Sequence, residues 1–265
     1  MRVLPVERVS TAIFPDAIAA FERRQRFWPR FGFADGGGPE FSNQKVLEVG
    51  CGKGERCLDV AARGASHVVG VDPFEQSVRE AREHLAGFPQ LAPKIRYHLG
   101  TIDDLPEDEF DAVISENTFE HVMDVPGTLA AIRKRLRPGG LAYIGFGPLY
   151  ESPVGDHQWI RAALPMGDKF LLPWGHVLFP EKWLFQRMER VYKQPVRSTA
   201  DWPFLSLNKL SVGEYRRLFR ESGMKIRYEK RNANFSLPAK AFGLLGKVPV
   251  LDRYCTLNMF VILEK

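Results

Sequence analysis

The chain has 265 residues, 45% of them hydrophobic, with a formal net charge of +5 and three cysteines. This length suits one α/β domain with insertions, and the apolar share is enough for a large core. The cysteines form no C-x-x-C pair and no even set, which excludes a zinc ribbon or disulfide framework and favours a reduced, cytosolic protein. Basic residues are interspersed with acids and no nucleic-acid-binding signature accompanies them, so we expect no nucleic-acid partner.

The first 44 residues are predicted to be an N-terminal helical segment. An amphipathic helix is expected from Pro15 to Phe27, followed by a loop at residues 36–39. This segment carries no secretory signal pattern, and no run of 18 apolar residues occurs in the chain, so we expect no integral membrane span.

A glycine-rich turn between two apolar strands is the most informative feature. The strand Lys45–Val49 leads into Glu48-x-Gly50-x-Gly52-x-Gly54, and a second strand ends at Asp72, 20 residues beyond Gly52. Glycines in such a turn let a ligand approach the backbone. A carboxylate at the position of Asp72 can accept hydrogen bonds from both ribose hydroxyls. The pattern predicts a nucleoside site that suits NAD as well as S-adenosylmethionine.

The glycine spacing distinguishes these two cofactors. The turn lacks the third glycine of the dinucleotide pattern G-x-G-x-x-G, and Glu55 at the start of the next helix would repel a diphosphate. The turn resembles the first motif, E/D-x-G-x-G-x-G, of the class I S-adenosylmethionine-dependent methyltransferases. The resemblance implies an α/β, Rossmann-like, doubly wound seven-stranded sheet, mostly parallel with an antiparallel last strand, and S-adenosylmethionine as cofactor.

Later segments continue the resemblance in the same order. After the strand Ile95–Leu99, residues 100–106 resemble the family's adenine segment, in which Asp103 would bond the adenine amino group and the Ile102 backbone would meet the ring. A fourth strand over residues 110–115 ends at Glu116, where the family binds the methionine portion, and residues 136–140 resemble the turn into a fifth strand, 141–146. The implied cofactor-binding set is Glu48, Gly50, Cys51, Gly52, Gly54, Asp72, Pro73, Ile102, Asp103 and Glu116.

The remainder of the methyltransferase domain, residues 45–265, contains two predicted insertions. Residues 147–208 are aromatic and proline-rich and are expected to form a lid over the acceptor, and residues 232–255 form a second insertion. Between them, Ser211 and Glu214 form a capping-box pattern for a helix that ends at Glu221. The sixth and seventh strands are expected over residues 225–230 and 256–264.

Two histidines are the predicted catalytic candidates, because a neutral imidazole is a natural base for a hydroxyl. His157 follows Asp156 in the lid, and His121 follows the fourth strand, where it could meet cofactor or acceptor. His176 fits a structural role better. No metal is expected, since the carboxylates of the chain do not show the spacing of the catechol-type metal-dependent set.

The predicted function is methyl transfer to a small-molecule acceptor. We expect O-methylation of a glycan or secondary metabolite, with C- or N-methylation of a quinone-, lipid- or alkaloid-like acceptor as the alternative. A catalytically silent cofactor-binding module is the alternative outside the enzymes. The sequence after the fourth strand lacks the Asn/Asp-Pro-Pro-Tyr/Phe motif of nucleobase amino methylation. It leaves the oligomeric state open.

Overall fold

The computed structural model groups the chain into two compact units. The first comprises residues 1–116, 130–143 and 262–265, and the second comprises 117–129 and 144–261. Apart from Phe27, the helix predicted over residues 15–27 lies outside the described residues. The described residues are 27–33, 37–106, 109–157, 173–193, 195–199, 206–232, 244–246 and 248–265.

The strands form a seven-stranded mixed sheet in the order β3-β2-β1-β4-β5-β7-β6, with antiparallel last strands. The predicted α/β, Rossmann-like fold class is therefore confirmed. The strands are β1 (Lys45–Val49), β2 (His67–Asp72), β3 (Ile95–Leu99), β4 (Phe110–Glu116), β5 (Leu136–Phe146), β6 (Lys225–Arg231) and β7 (Met259–Glu264).

Helices connect these strands, and one begins at the predicted capping box. The Ser211 hydroxyl accepts from the Glu214 backbone N–H at 3.3 Å, and the Glu214 carboxylate accepts from the Ser211 N–H at 2.8 Å. The helices of the described residues are α1 (Glu55–Ala62), α2 (Glu75–Ala86), α3 (Val125–Arg135), α4 (Gly175–Leu178), α5 (Glu181–Tyr192), α6 (Val212–Glu221) and α7 (Pro249–Cys255).

The central strand β1 explains where a ligand site forms in the first unit. It pairs in parallel with β2 on one side and with β4 on the other, and Glu48 is opposite both Gly70 and Ile114. Val46 and Leu47 are completely buried, as expected for a strand covered on both faces. Because parallel strands end at the same edge, the turns after β1, β2 and β4 are gathered at one edge of the sheet.

Strand β5 begins five residues earlier than predicted, at Leu136 rather than Leu141. Within the expected turn, the Gly139 N–H donates to the Lys265 carbonyl at 2.8 Å, and the Lys265 N–H donates to the Gly140 carbonyl at 3.1 Å. This long-range pairing extends the strand through a segment whose local sequence favours a turn.

Strand β7 begins at Met259 rather than at residue 256. Before it, the Leu257 N–H donates to the Asn232 side-chain oxygen at 2.7 Å, and the Leu257 carbonyl accepts from Leu149 at 3.0 Å. The backbone groups of Leu257 are thus bonded to loop residues instead of to a neighbouring strand.

Each unit has its own apolar packing. In the first, Trp28 is completely buried, and its indole N–H donates to Asp59 at 2.7 Å. In the second, a cluster packs beneath Phe179, Trp183 and Phe185 and comprises Tyr150, Leu184, Met188, Val196 and Leu207. Phe179, Trp183 and Phe185 are therefore partly buried against the core of the second unit.

Candidate active site

The glycine turn after β1 is held in a conformation that other residues rarely adopt. Gly50, Gly52 and Gly54 have φ values of 74°, 50° and 81°, in the left-handed region that favours glycine. The N–H groups of Gly50 and Cys51 donate to the Val71 carbonyl at 2.9 and 3.1 Å. The turn is thereby attached to the end of β2.

The side-chain carboxylate of Asp72 also holds the glycine turn in place. One carboxylate oxygen accepts from the Gly52 N–H at 2.9 Å, and the other accepts from the Phe74 N–H at 3.0 Å. Asp72 is buried, whereas the neighbouring Pro73 is exposed. Since a carboxylate oxygen has two acceptor sites, both oxygens of Asp72 retain the capacity to bind ribose hydroxyls.

Gly54 and Gly52 differ in the room that each leaves for a side chain. A Cβ atom built on Gly54 would lie 2.6 Å from the Tyr97 ring carbon Cζ, so this glycine permits close packing against β3. A Cβ atom built on Gly52 would meet nothing within 4 Å. The backbone of Gly52 therefore borders open space, which fits a position where S-adenosylmethionine approaches the main chain.

Glu48 lies in β1 and bonds to protein rather than to solvent. It is buried, and its carboxylate accepts from the Cys57 thiol at 2.9 Å. Burial, followed by the charge of Glu48, raises the pKa values of both Cys57 and Cys51. Both cysteines are therefore neutral thiols at pH 7, which excludes them as thiolate nucleophiles.

Glu116, at the end of β4, is paired with a residue that the sequence analysis missed. Arg56 of α1 is almost completely buried, and its Nη2 lies 2.8 Å from Glu116 Oε2. Its Nη1 donates to Asp59 at 2.5 Å, and its guanidinium carbon lies 4.3 Å from the centroid of the Phe27 ring. An arginine in the first turn of a helix is normally solvated, so nothing local indicated this pair.

The predicted adenine segment is a short 3-10 turn after β3. Ile102 is buried there, and the side chain of Asp103 is exposed. The Thr101 backbone N–H and hydroxyl donate to Asp104 at 2.6 and 2.8 Å, and these bonds lower the pKa of Asp104. The turn thus leaves Asp103 accessible, as its predicted role requires, while that role stays a prediction.

The two predicted catalytic histidines come together in the second unit, beside Glu120. The candidate ligand atoms of Glu120, His121 and His157 all lie within 4.8 Å of one another. The two imidazole centroids are 5.0 Å apart, with 54° between the ring planes. We call these three residues the histidine–glutamate cluster.

Backbone groups orient each side chain of this cluster. His121 Nδ1 lies 2.8 Å from the Ser206 carbonyl, the His157 side chain bonds to the Pro148 backbone carbonyl, and Glu120 Oε1 accepts from Gly147 N–H at 3.1 Å. A carbonyl oxygen can only accept, so in each histidine the bonded ring nitrogen carries the proton. The other ring nitrogen is then an acceptor.

Both imidazoles of the cluster are neutral at pH 7. Burial and then the neighbouring His121 lower the pKa of His157 to about 4. Burial also lowers the pKa of His121. The unprotonated His157 imidazole can accept a proton at pH 7, although its low pKa gives the transfer little driving force, and its role as a general base stays a prediction.

Asn208 secures the turn that carries Glu120 and His121. Its side-chain amide donates to the carbonyls of Phe119 and Val122, both at 2.7 Å, and its backbone N–H donates to the Glu120 carbonyl at 3.0 Å. Gly147 also bonds to Glu120, so both ends of the predicted insertion 147–208 are attached to this one turn.

The carboxylate of Asp156 lies near the imidazole of His176. Asp156 Oδ1 is 3.8 Å from His176 Nδ1, and His176 Nε2 bonds to the Tyr150 carbonyl. His176 is buried, and burial lowers its pKa. These contacts agree with the structural role expected for His176.

Residues 47–144 match the family described as methyltransferase domain. The human mitochondrial ubiquinone biosynthesis O-methyltransferase is 33% identical over 147 residues, covering 48% of this chain and 40% of the relative. The enzyme of the same name from Neisseria meningitidis serogroup A is 35% identical over 150 residues, covering 52% and 61%. The chain therefore spans less than two thirds of the length of these relatives.

Solved structures share the fold at low sequence identity. A Mesorhizobium loti S-adenosylmethionine-dependent methyltransferase has a TM-score of 0.54 at 22% identity, covering 86% of this chain and 93% of the other. Haemonchus contortus phosphoethanolamine N-methyltransferase 2, in complex with S-adenosyl-L-methionine, has a TM-score of 0.55 at 16% identity, covering 92% and 52%.

Residues 47–144 thus match a methyltransferase domain, and the fold is that of the class I S-adenosylmethionine-dependent methyltransferases. The predicted family and cofactor are thus confirmed. Within the described part of the chain, no helix is long and apolar enough to cross a membrane.

Proposed function

We propose that this protein transfers the methyl group of S-adenosylmethionine to a hydroxyl on a quinone-like ring. The observation that carries the proposal is the 33–35% identity to relatives named ubiquinone biosynthesis O-methyltransferase. These names favour oxygen over carbon or nitrogen as the methylated atom. They also replace the glycan that the sequence analysis expected, since they point to a quinone-like acceptor.

The cofactor residues proposed for this reaction lie in the first unit. Asp72 would bind the ribose, Gly52 would allow the main chain to approach the ligand, Ile102 and Asp103 would contact the adenine, and Glu116 would bind the methionine portion. The cofactor supplies a sulfonium whose methyl group is transferable. The open space beside Gly52 supports this set of residues. So do the backbone hydrogen bonds that both carboxylate oxygens of Asp72 accept, because they hold the side chain at the turn.

The histidine–glutamate cluster is proposed to act on the acceptor hydroxyl. Methyl transfer to oxygen forms an O–C bond, breaks the C–S bond of the sulfonium, and requires the hydroxyl to lose its proton. Only three residues separate Glu116, at the end of β4, from Glu120 of the cluster. A module that merely bound the cofactor would need no such cluster of two imidazoles and a carboxylate, which favours an enzyme.

The proposal is tested by measuring S-adenosylhomocysteine release with a panel of acceptors. The panel contains ring diols and hydroxyquinols with and without an apolar tail, sugars, amines, and a ring ether whose hydroxyls are already methylated. We expect turnover with free ring hydroxyls and none with the blocked ether. Selective turnover of sugars or amines would contradict the proposal.

Two histidine variants test whether the histidine–glutamate cluster takes part in methyl transfer. His157→Ala should lower turnover by ~100-fold or more while cofactor affinity is retained. His98→Ala, which changes a histidine of β3 outside the cluster, is the matched control and should leave turnover near that of the unaltered protein. Equal activity of the two variants would remove His157 from the reaction.

A further inference from the structure

We propose that Glu120, His121 and His157 bind a divalent transition-metal ion of the zinc type. No metal was expected from the sequence because its cysteines and carboxylates match no metal-site pattern, and a mixed set of histidines and a carboxylate was not considered. The structure instead brings one carboxylate and two imidazoles from the turn 119–122 and the loop 147–157 to within 4.8 Å of one another.

The donor atoms determine the class of metal. Two imidazole nitrogens and one carboxylate oxygen are the ligands of catalytic zinc sites and of non-haem iron(II) sites. Magnesium and calcium prefer oxygen ligands throughout, so the two histidines argue against them. We therefore expect zinc, or cobalt as its spectroscopic substitute, to be bound more tightly than magnesium.

The spacing and burial of the cluster agree with a metal site. Bonds of about 2.0–2.2 Å to a tetrahedral ion place the ligand atoms roughly 3–4 Å apart. The separations, none above 4.8 Å, therefore need to contract by roughly 1–2 Å at most. Glu120 Oε2 and His157 Nε2 are both shielded from solvent, so an ion there would be held largely by protein.

Each candidate ligand already has the supporting contact that metal sites require. Ligating histidines almost always donate their second ring N–H to a carbonyl or carboxylate, which fixes the ring and its tautomer. His121 does so to Ser206, and His157 does so to Pro148. Glu120 Oε1 accepts from the Gly147 N–H at 3.1 Å, which orients the carboxylate.

A bound ion would also give the cluster a catalytic role, and this step rests on the proposed function. Three protein ligands leave a coordination position for the acceptor hydroxyl, whose pKa the ion lowers. The hydroxyl releases its proton to water, and its electron pair then attacks the methyl carbon. The C–S bond breaks, and its electrons remain on sulfur in the thioether product.

Metal binding is tested on the full chain without any acceptor. The protein is stripped with a chelator and titrated with Zn²⁺ by calorimetry and with Co²⁺ by visible absorption. We expect one equivalent of metal per chain and an absorption spectrum typical of nitrogen and oxygen ligands. His121→Ala and His157→Ala should each weaken binding by more than the ~10–100-fold that follows loss of a supporting contact.

Controls separate ligand loss from misfolding. His98→Ala should bind Zn²⁺ as the unaltered protein does, and circular dichroism must show that all variants are folded. Failure of the stripped protein to bind Zn²⁺ or Co²⁺ would overturn the metal site, as would binding that survives both cluster variants.

The outcomes also distinguish this site from the proposed function. If the protein binds Zn²⁺ through the cluster but methylates no ring hydroxyl, the metal site stands and the proposed function fails. If the stripped protein methylates ring hydroxyls at its full rate and binds no metal, the proposed function stands and the metal site fails.

Discussion

Arg56 and Glu116 form a buried ion pair, with 2.8 Å between Nη2 and Oε2, that joins helix α1 to the end of β4. The same guanidinium is bonded to Asp59 and lies over the ring of Phe27. The glutamate at a predicted cofactor position is thus oriented by a residue that belongs to none of the sequence motifs.

We expect Arg56→Met to lower the free energy of unfolding by about 3–5 kcal/mol, because it leaves buried carboxylates without their cation. Arg137→Met is the matched control, since Arg137 is half exposed and its pair with Asp111 should contribute at most about 1 kcal/mol. Urea unfolding measures both values. Similar losses for the two variants would mean that burial adds nothing to the Arg56 pair.

Asp72→Ala should weaken binding of S-adenosylmethionine by about 1–3 kcal/mol, because it removes acceptors for the ribose hydroxyls. Calorimetric titration measures this affinity. Glu83→Ala, which removes an exposed carboxylate of α2, is the control for net charge and should bind normally. An unchanged affinity of Asp72→Ala would exclude Asp72 from the cofactor site.

Gly52→Ala and Gly54→Ala should separate cofactor binding from folding. At Gly52 the methyl group meets no protein atom, so the stability loss should be only about 1–2 kcal/mol from the positive φ, while cofactor affinity falls by ~10-fold or more. At Gly54 the methyl group collides with the Tyr97 ring, which adds about 1–3 kcal/mol of overpacking to the strain.

For Gly52→Ala and Gly54→Ala, thermal unfolding measures the loss of stability, and calorimetric titration measures the affinity for S-adenosylmethionine. A Gly52→Ala protein that binds the cofactor with unchanged affinity would contradict the position of the ligand beside that residue.

Gly147→Ala should disturb the histidine–glutamate cluster. Gly147 has a φ of 142°, and a Cβ atom there would lie 2.9 Å from Asn258 Cα, so the segment that bonds to Glu120 must move. We expect a stability loss of about 3 kcal/mol or more together with weaker Zn²⁺ binding.

Gly139→Ala is the control for the Gly147 variant. Its φ is 76°, but its Cβ atom would meet nothing within 4 Å, so the loss should be about 1–2 kcal/mol with Zn²⁺ binding unchanged. Denaturant unfolding and Zn²⁺ titration provide the comparison. Equal losses of stability and of Zn²⁺ affinity in Gly147→Ala and Gly139→Ala would show that the lack of space for a Cβ atom at Gly147 has no effect.

Ser211→Ala should cost about 1 kcal/mol at pH 7 through loss of the α6 cap. The Ser211 hydroxyl and then its backbone N–H lower the pKa of Glu214 below its ordinary value of 4.5. A carboxylate with a lowered pKa stabilises the fold above its unfolded-state pKa and loses that contribution as the pH falls. The difference between the two proteins should therefore shrink below about pH 4.5, and a constant difference from pH 7 to 3 would contradict the capping box.

The features read correctly from sequence are those set by neighbouring residues. Strand β3 has its predicted bounds, and the helix after Ser211 begins where the capping box indicates. The glycine turn and Asp72 also follow from local spacing, since a strand, a turn and a helix fix their geometry.

The features that were missed depend on distant residues. Arg56 and Glu116 are 60 positions apart, and no periodicity relates them. His121 and His157 were singled out individually, but their meeting with Glu120 depends on the path of the loop 147–157. The early start of β5 likewise depends on Lys265 at the far end of the chain.

The bonds of Gly147 and Asn208 to one turn hold the two ends of the segment between them at a fixed point. A segment whose two ends meet at a fixed point can change in length at little cost, because the entropy of loop closure grows only with the logarithm of its length. A change of length that spares His157, Ser206 and the apolar cluster of the second unit therefore leaves Glu120 and its turn anchored as they are. Related chains can then differ in length here without any change to the glycine turn or Asp72.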